Sequence, residues 1–364
     1  MKKICSVVGA RPQFIKLAVV SRELRKYYDE VIIHTGQHYD YNMSDVFFEE
    51  MDIPKPNYNL GISGGTHGKM TGEMLIKIEE VLLNEKPDMM VLYGDTNSTM
   101  AAALAAVKLH IPICHVESGN RFGTFDSPEE INRLVTDHVS VLNLACTNSG
   151  YEFLKKEGLE HNSHIIGDPM YDAFYYYSSL LDDEELKEIK DLSGENIIIA
   201  DKFYYMTCHR QENTDSDDTL KSIFEAMNSL EYPTIYPVHP RNRVRAERLK
   251  AEFGYDKLVL TQPIGYKASI SLVNKCEKIG TDSGGVQREA FFAKKPCVTV
   301  LDFVVWPETM YNDYNQLAMA DKNDILKKLN KEIQFDDSYK PFGDGKSYEK
   351  VAYYINNYFE NQKR

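Results

Sequence analysis

The chain has 364 residues, of which 43% are hydrophobic and 27% are charged, and its formal net charge is −13. A chain of this length usually forms more than one hydrophobic core, so two domains are expected. The composition is typical of a globular protein rather than a disordered one. The acidic balance argues against nucleic acids and anionic membranes as partners, although a locally positive site for an anionic ligand stays compatible with it.

The six cysteines are scattered along the chain, and none forms a CxxC pair. Because most of them lie in apolar runs, we expect buried, reduced thiols and neither a disulfide framework nor a zinc site. The first apolar run, 4–8, is too short for a signal peptide, and no apolar stretch approaches the length of a membrane span. The sequence therefore predicts a cytoplasmic protein without a membrane anchor.

In the first half of the chain, short apolar runs alternate with amphipathic segments. This alternation is typical of successive βα units and predicts a parallel, doubly wound sheet with helices on both faces. The predicted strands are 4–8, 31–34, 89–93, 113–116, 141–146 and 164–166, and the predicted helices are 14–27, 66–84, 98–109 and 128–139.

After residue 170 the pattern changes to an aromatic-rich helical segment, 171–181, and a charged stretch, 182–195, which we interpret as a domain boundary. A second alternation and a final amphipathic helix follow. We expect domains at 1–170 and 196–345, a linker at 171–195, and a C-terminal helix at 346–364. A cleft between two such domains is a common ligand site. The later strands are predicted at 204–208, 234–238, 258–261, 278–281 and 297–301, and the last helix at 348–358.

Polar clusters follow the strands of both halves. Each cluster alone has a structural explanation as a helix cap or a tight turn. Ligands of open α/β sheets bind beyond the carboxyl ends of the strands, so seven such clusters together predict a site. The clusters are Gly9–Pro12 with Lys16, residues 94–98, residues 117–121, residues 126–133, residues 209–213, His239 to Arg241, and residues 282–289.

The Ser283-Gly284-Gly285 sequence follows a predicted strand and opens a helix. Glycines let a backbone approach an anion closely, and a helix N-terminus offers N–H groups and a favourable dipole, which suits a diphosphate. Glu289, one turn further, can accept hydrogen bonds from ribose hydroxyls. The chain has neither a GxGxxG fingerprint nor a GxxxxGK[ST] loop, which argues against bound NAD and against P-loop ATP chemistry.

Three carboxylates, Asp95, Glu117 and Glu129, come from separate loops of the first half. Converging acids suit proton transfer at carbon and also metal binding, but without a metal-spaced motif we favour proton transfer and expect no metal. His209 from the second half would complete an acid–base set. The cations available to balance phosphate and carboxylate charge are Arg11, Lys16, Arg133 and Arg210.

Eight motifs together make the chain resemble the non-hydrolysing UDP-N-acetylglucosamine 2-epimerase family along nearly its whole length. They are GARPQFIK, TGQHYD, YGDTNST, HVESGNR, SPEEINR, HRQENTD, HPR and TDSGGVQREA. The resemblance implies a GT-B architecture, with two Rossmann-like domains around a central cleft and a C-terminal helix that returns to the first domain. It also implies a homodimer, a UDP-linked amino sugar as substrate, and no cofactor.

The resemblance further implies a reaction. UDP is eliminated across C1–C2 of the sugar to give a 2-acetamidoglucal and is then added back, which inverts C2. Catalysis needs carboxylates at C2 and positive or N–H groups at the leaving diphosphate. By the resemblance Asp95, Glu117 and Glu129 handle protons and His209 serves the diphosphate. The implied substrate and UDP contacts are Arg11, Lys16, Arg133, Arg210, His239, Ser283, Gly284, Gly285 and Glu289.

The segment 301–308 departs from the family pattern, since apolar residues stand where many members carry Arg and then Thr-Glu-Arg-Pro. With Trp306 it is more similar to the branch that acts on UDP-2,3-diacetamido-2,3-dideoxyglucuronate. Asn120 resembles the residue found at this position in the branch that makes UDP-N-acetylfucosamine. Besides a 2-epimerase that acts on UDP-N-acetylglucosamine, four functions stay open. They are a 2-epimerase for another UDP-sugar, a hydrolysing epimerase, a GT-B glycosyltransferase and a catalytically inactive UDP-sugar sensor.

Overall fold

The chain folds into two compact units, each built on one parallel sheet. In the computed structural model the first unit is Met1–Tyr175 together with Lys340–Arg364, and the second is Tyr176–Tyr339. The structure describes residues 1–37, 45–182 and 184–362.

The first sheet has seven strands in the order β3-β2-β1-β4-β5-β6-β7, and every pairing is parallel. Its central strand, Met89–Tyr93, is apolar throughout and fully buried, as expected for a sheet covered on both faces. The strands are β1 (Lys3–Val8), β2 (Asp29–His34), β3 (Tyr58–Asn59), β4 (Met89–Tyr93), β5 (Ile113–Ser118), β6 (Leu142–Ala145) and β7 (Ser163–Ile165).

Seven helices accompany these strands. Several begin with a side-chain cap; for example, Thr96 Oγ1 accepts a hydrogen bond from Thr99 N. The helices are α1 (Arg11–Leu24), α2 (Asp45–Glu50), α3 (His67–Glu85), α4 (Asn97–Lys108), α5 (Pro128–Val139), α6 (Asn148–Lys156) and α7 (Pro169–Ser178).

The second sheet has six parallel strands in the order β10-β9-β8-β11-β12-β13. Its first strand lies in the middle, as in the first sheet, which is the Rossmann-like arrangement with a switch point beside that strand. The strands are β8 (Tyr204–Thr207), β9 (Thr234–Pro237), β10 (Leu258–Thr261), β11 (Ile279–Thr281), β12 (Cys297–Val300) and β13 (Asn315–Ala318).

The helices of the second unit cover both faces of its sheet. They are α8 (Glu184–Lys187), α9 (Gln211–Thr214), α10 (Asp217–Asn228), α11 (Arg243–Phe253), α12 (Tyr266–Lys275), α13 (Gly284–Phe292) and α14 (Lys322–Leu329). The α/β class with two doubly wound parallel sheets, predicted from the sequence, is confirmed. The sequence analysis missed β3 and β13, since the former has only two residues and the latter contains Asn315 and Gln316.

The last helix, α15 (Ser347–Asn361), belongs to the first unit and packs against α1. Tyr28 donates a hydrogen bond to Asn356, and Asp172 of α7 accepts hydrogen bonds from the Ser347 hydroxyl and the Tyr348 N–H. Asp172 thus caps the first turn of α15 from another helix. Residues 363 and 364 of the predicted C-terminal segment lie outside the described residues.

All six cysteines are buried and reduced, as predicted. Among the helices that the structure describes, none combines the length and the apolar character that a membrane span requires.

The cap of α15 predicts a pH-dependent stability. Burial raises the pKa of Asp172 to about 7, although hydrogen bonds from Ser347 and Tyr348 act in the opposite direction. Because the folded pKa lies above the ordinary value, ionisation destabilises the native state. The free energy of unfolding, relative to Asp172→Asn, should therefore fall by about 4 kcal/mol in total as the pH rises from about 4 to about 7, and it should stay level above that.

Urea unfolding of wild type and Asp172→Asn between about pH 3.5 and about pH 8.5, a range that spans both pKa values, measures this difference. Ser347→Ala is the matched control, because it keeps the carboxylate and removes one donor that lowers the Asp172 pKa, so the fall in stability should persist in this variant and extend to higher pH. Parallel curves for wild type and Asp172→Asn would contradict the assignment.

Candidate functional site

The first loop of the first unit is fixed by a buried amide. Gln13 Oε1 accepts hydrogen bonds from the N–H of Gly9 at 2.8 Å and of Ala10 at 3.1 Å. Its Nε2 donates to Tyr93 O at 2.8 Å and to Thr99 Oγ1 at 3.0 Å. Gln13 therefore joins the loop after β1 to the loop after β4, on either side of the switch point. The sequence analysis missed this role, although Gln13 lies within the GARPQFIK motif.

Lys16 and Glu117 form a buried ion pair with 2.6 Å between Nζ and Oε1, and their side chains are only 2% and 7% exposed. Glu117 has a φ of +70°, and the register between β5 and β6 shifts at this residue. Gly94 lies alongside, where an added Cβ would come within 3.2 Å of Lys16 Nζ and 3.3 Å of Glu117 Oε1. The bulge in β5 thus directs the carboxylate towards Lys16, and the glycine leaves room for the pair.

Arg133 holds Asp95 at the rim of the same site. Its Nη2 lies 2.6 Å from Asp95 Oδ2, and its Nη1 lies 2.9 Å from Glu130 Oε2. The guanidinium also lies 4.4 Å from the centre of the Phe122 ring. Arg133 is therefore engaged by two carboxylates, and Asp95, with 29% of its side chain exposed, keeps an accessible face.

Glu129 and its neighbour have different environments. Glu129 is exposed and accepts a hydrogen bond from the Ser127 hydroxyl at 2.6 Å. Glu130 is buried and accepts hydrogen bonds from the N–H of Phe122 at 2.9 Å and of Gly123 at 3.2 Å. Glu130 organises the loop before α5, whereas Glu129 is available to a ligand. The i, i+3 spacing of Glu130 and Arg133 was the sequence signal for this pair.

A second buried network lies beneath the loop after β4. His115 Nδ1 lies 2.6 Å from Asp137 Oδ1, and His115 Nε2 lies 2.7 Å from Gly94 O. Asp137 also accepts a hydrogen bond from Gly119 N and pairs with Arg121. Burial alone raises the pKa of Asp137, but His115 and Arg121 outweigh burial and lower it below its ordinary value. This network fixes the loops that carry Asp95 and Glu117.

One further convergence of polar groups lies next to Glu117. Potential donor atoms of Glu117, Cys146 and Asp168 all lie within 4.8 Å of one another, and all three residues are buried. The Lys16 ammonium, 2.6 Å from Glu117, already supplies the positive charge there, so we assign no metal to this cluster.

The remaining predicted cation of the first unit, Arg11, opens α1 and places its guanidinium 4.9 Å from the centre of the Phe47 ring. Of the TGQHYD motif, Thr35, Gly36 and Gln37 are described, whereas residues 38–40 lie outside the described residues.

In the second unit Asp282 organises the loop after β8. Asp282 Oδ2 accepts hydrogen bonds from the N–H groups of His209 and Arg210, both at 2.8 Å. His209 Nδ1 lies 3.0 Å from Asp282 Oδ1, and the imidazole is 45% exposed. Burial alone raises the pKa of Asp282, but His209 and these N–H groups bring it down to about 2. Asp282 therefore stays ionised and orients an accessible imidazole.

The N-terminus of α13 follows directly. Ser283 Oγ accepts a hydrogen bond from Val286 N at 3.4 Å, and Ser283 N donates to Thr281 Oγ1 at 3.0 Å. Ser283, Gly284 and Gly285 are all half-buried, and Glu289 is buried one turn inside the helix. The predicted strand–glycine–helix arrangement is thus present, with its first N–H groups at the carboxyl edge of the sheet.

The segment 301–308, which departs from the family pattern, lies against α13. An added Cβ on Gly284 would lie 3.0 Å from Val305 Cγ1, and the Arg288 guanidinium lies 4.0 Å from the Trp306 ring centre. Arg210 lies 5.2 Å from the Phe303 ring centre. His239, the remaining predicted contact, caps a short 3-10 turn by accepting a hydrogen bond from Arg241 N.

Comparison with known proteins identifies the family. The model of the UDP-N-acetylglucosamine 2-epimerase family matches residues 22–356. A protein of Methanococcus maripaludis described as a UDP-N-acetylglucosamine 2-epimerase homolog is 45% identical, over 98% of this chain and 99% of its own. The UDP-2,3-diacetamido-2,3-dideoxy-D-glucuronate 2-epimerase of Pseudomonas aeruginosa is 42% identical, over 97% and 99%.

Solved structures agree with this result. The crystal structure of the Methanocaldococcus jannaschii UDP-GlcNAc 2-epimerase in complex with UDP-GlcNAc and UDP superimposes with a TM-score of 0.87 at 37% identity, over 98% of this chain and 99% of that one. The fold is therefore of the GT-B class, as predicted. The chain belongs to the UDP-N-acetylglucosamine 2-epimerase family and is an isomerase of that type.

The position of Asp282 predicts a specific loss of stability. Its folded pKa of about 2 lies below the ordinary value, so its contribution, about 2 kcal/mol, is present above pH 4 and is lost as the pH falls towards 2. Asp282→Asn should therefore lower the free energy of unfolding by about that amount at pH 7, and the difference from wild type should narrow in acid.

Urea unfolding at pH 7 and at about pH 2.5, where most of the Asp282 contribution is lost, measures both effects. Asp302→Asn, at an exposed position of the same unit, is the control and should change the stability by less than about 0.5 kcal/mol. An Asp282→Asn variant as stable as this control at pH 7 would show that the assignment is wrong.

Proposed function

We propose that this protein is a non-hydrolysing 2-epimerase that interconverts UDP-N-acetylglucosamine, or a related UDP-2-acetamido sugar, and its manno C2 epimer. The observation that carries the proposal is the buried Lys16–Glu117 pair, with Asp95 held nearby by Arg133. Binding of a nucleotide alone does not require a buried carboxylate paired with an ammonium next to a second, accessible carboxylate. Proton transfer at a carbon atom does.

The proposed reaction is an anti elimination followed by re-addition. A carboxylate takes the C2 proton, the C2–H electrons form the C1=C2 bond, and UDP leaves C1 with the C1–O pair. The product of this step is a 2-acetamidoglucal. In the second step UDP returns to C1 while an acid delivers a proton to the other face of C2. Two faces of one carbon need more than one acid–base group, and Asp95, Glu117 and Glu129 are our candidates.

The second unit has the chemistry for the leaving group. Developing negative charge on a diphosphate is stabilised by helix N-termini and by preorganised donors. We assign the diphosphate to the α13 N-terminus at Ser283, Gly284 and Gly285 and to His209, whose imidazole is oriented by Asp282. Arg210 adds positive charge, and Glu289 is assigned to the ribose. No redox cofactor is required, because the C2–H electron pair becomes the C1=C2 bond, the proton goes to the base and UDP leaves with the C1–O pair, so the reaction involves no net oxidation or reduction.

A second substrate, UDP-2,3-diacetamido-2,3-dideoxyglucuronate, is favoured by one feature of the second unit. The segment after β12 carries Phe303 and Trp306, and each ring covers an arginine near α13. The Pseudomonas aeruginosa relative named for this substrate is 42% identical. A sugar with a 6-carboxylate needs a cation that the N-acetylglucosamine substrate does not, and Arg210 is the candidate.

NMR of each UDP-sugar with the enzyme in D2O tests the proposal. We expect loss of the C2–H signal, incorporation of deuterium at C2 and appearance of the manno epimer, with glucal and UDP only as minor species. Steady accumulation of UDP and free sugar would instead establish a hydrolase, and turnover only with an added acceptor would establish a glycosyltransferase. Unchanged spectra with both UDP-sugars would contradict the proposal.

The three carboxylates should separate turnover from binding. We expect Asp95→Asn, Glu117→Gln and Glu129→Gln each to lower kcat by about 10²–10⁴-fold while UDP affinity changes little. Glu152→Gln, at an exposed position of α6, is the control and should keep the wild-type rate. Near-normal rates in all three variants would refute the acid–base assignment.

The helix terminus should determine nucleotide affinity. Ser283→Ala combined with Gly284→Ala should weaken UDP binding by about 10–100-fold in calorimetry, because the methyl group added at Gly284 crowds Val305 and the loss of the Ser283 hydroxyl removes a polar contact. Ser216→Ala is the matched control, since Ser216 caps α10 in the same way and lies at the start of a different helix. Equal UDP affinities for the double variant and the control would show that the N-terminus of α13 does not bind the diphosphate.

A further inference from the structure

The loop that carries His209, residues 208–216 between β8 and α10, is contacted by the residues that follow β9. Because β8 and β9 pair in parallel, their carboxyl ends lie side by side at one edge of the second sheet. Asn242 Nδ2 donates a hydrogen bond to Cys208 O at 3.1 Å, and Arg241 Nη2 donates to His209 O at 2.6 Å. This segment, the His209 loop, is therefore held by its neighbouring loop as well as by Asp282.

The peptide unit that joins His209 to Arg210 is held from both sides. It is trans, so its C=O and its N–H point in opposite directions. The N–H, on Arg210, donates to Asp282 Oδ2 at 2.8 Å, and the C=O, on His209, accepts the bond from Arg241. Both partners are charged, and hydrogen bonds to ionised groups are shorter and stronger than neutral ones. Rotation of this peptide plane would break both bonds at once.

The guanidinium of Arg241 has a second contact in the same loop. Its Nη2 lies 3.4 Å from Thr214 Oγ1, and the Thr214 hydroxyl donates in turn to Arg210 O at 2.7 Å. Arg243, two residues further along, instead pairs with Glu247 of its own helix at 3.6 Å. Arg241 thus directs its side chain to the His209 loop, whereas Arg243 directs its own to the helix.

We propose that Arg241 is a positioning residue that holds the His209 peptide from the side opposite Asp282 and so keeps the imidazole in place for the leaving diphosphate. The inference rests on the proposed function for the role of His209 at the diphosphate. An imidazole that is 45% exposed is restrained less by packing than a buried one, so its direction depends on the backbone that carries it and on Asp282. Donors stabilise developing charge best when they are fixed before the reaction begins.

Two variants of Arg241 test the proposal in calorimetry with UDP. Arg241→Met keeps the aliphatic stem and removes every donor, so the loop loses one of its two anchors and UDP affinity should fall by about tenfold. Arg241→Lys keeps the charge and one donor for His209 O but lacks the planar fork, so affinity should recover to within about threefold of wild type. Equal affinities of Arg241→Met and wild type would contradict the proposal.

Arg243→Met is the matched control. Arg243 is also an exposed arginine of the segment after β9, but its contacts, to Leu192 O at 2.7 Å and to Glu247, lie outside the His209 loop. Its removal takes the same charge from the same unit and should leave UDP affinity unchanged. A loss of affinity as large as that of Arg241→Met would show a general effect of charge and would overturn the proposal.

NMR of the histidine rings, with ¹⁵N-labelled histidine and without nucleotide, separates this inference from the proposed function. The His209 signals are assigned by their loss in His209→Asn. We expect them to shift and broaden in Arg241→Met and to return towards wild type in Arg241→Lys. The signals of His115, buried between Asp137 and Gly94 O in the first unit, should stay unchanged and show that the fold is kept.

Each result distinguishes the two proposals. His209 signals of Arg241→Met that coincide with those of wild type would overturn the positioning role of Arg241, even if epimerisation is confirmed. Inactivity of wild type on every UDP-sugar would count against the proposed function, and the ring spectra would still decide whether Arg241 positions His209.

Discussion

The loops at the carboxyl edge of the first sheet are arranged around one buried ion pair, Lys16 with Glu117. Removing two charges from water is costly unless they face each other at close range, and breaking such a pair strands a buried charge. The surrounding residues meet that requirement. Gly94 leaves space for the pair, the bulge in β5 directs Glu117 towards Lys16, and Gln13 fixes the loop before α1. The pair is thus the reason for several features that appear unrelated in sequence.

The second unit also buries a carboxylate at the end of a strand. Asp282 is buried and ionised, and it is stabilised by His209 and by the N–H groups of the loop after β8. A fixed anion that accepts backbone hydrogen bonds determines both the loop conformation and the imidazole orientation. In both units, therefore, a buried carboxylate at the end of a central strand is the element that positions the exposed groups around it.

The sequence predicted the strands and helices well where the apolar runs were long. It also located the polar clusters, because the carboxyl ends of parallel strands lie at the same edge of a sheet regardless of loop conformation. It could not predict which partner each charged residue takes. Glu129 and Glu130 are adjacent and chemically identical, yet only the packing of α5 exposes one and buries the other. Asp168 lies far from Glu117 in the chain, and only the strand order β5-β6-β7 brings them together.

The net charge of −13 repels anions at long range, so the proposed binding of a diphosphate requires groups that attract an anion locally. Arg133, a predicted cation, is already engaged by Asp95 and Glu130, so it contributes little free positive charge. The N-terminus of α13 instead offers N–H dipoles, which attract an anion without any net charge and act only at short range. The proposed binding of a nucleotide sugar is compatible with this charge distribution, because an extended polyanion would meet the repulsion of the whole acidic surface while a single diphosphate would meet only the local dipoles.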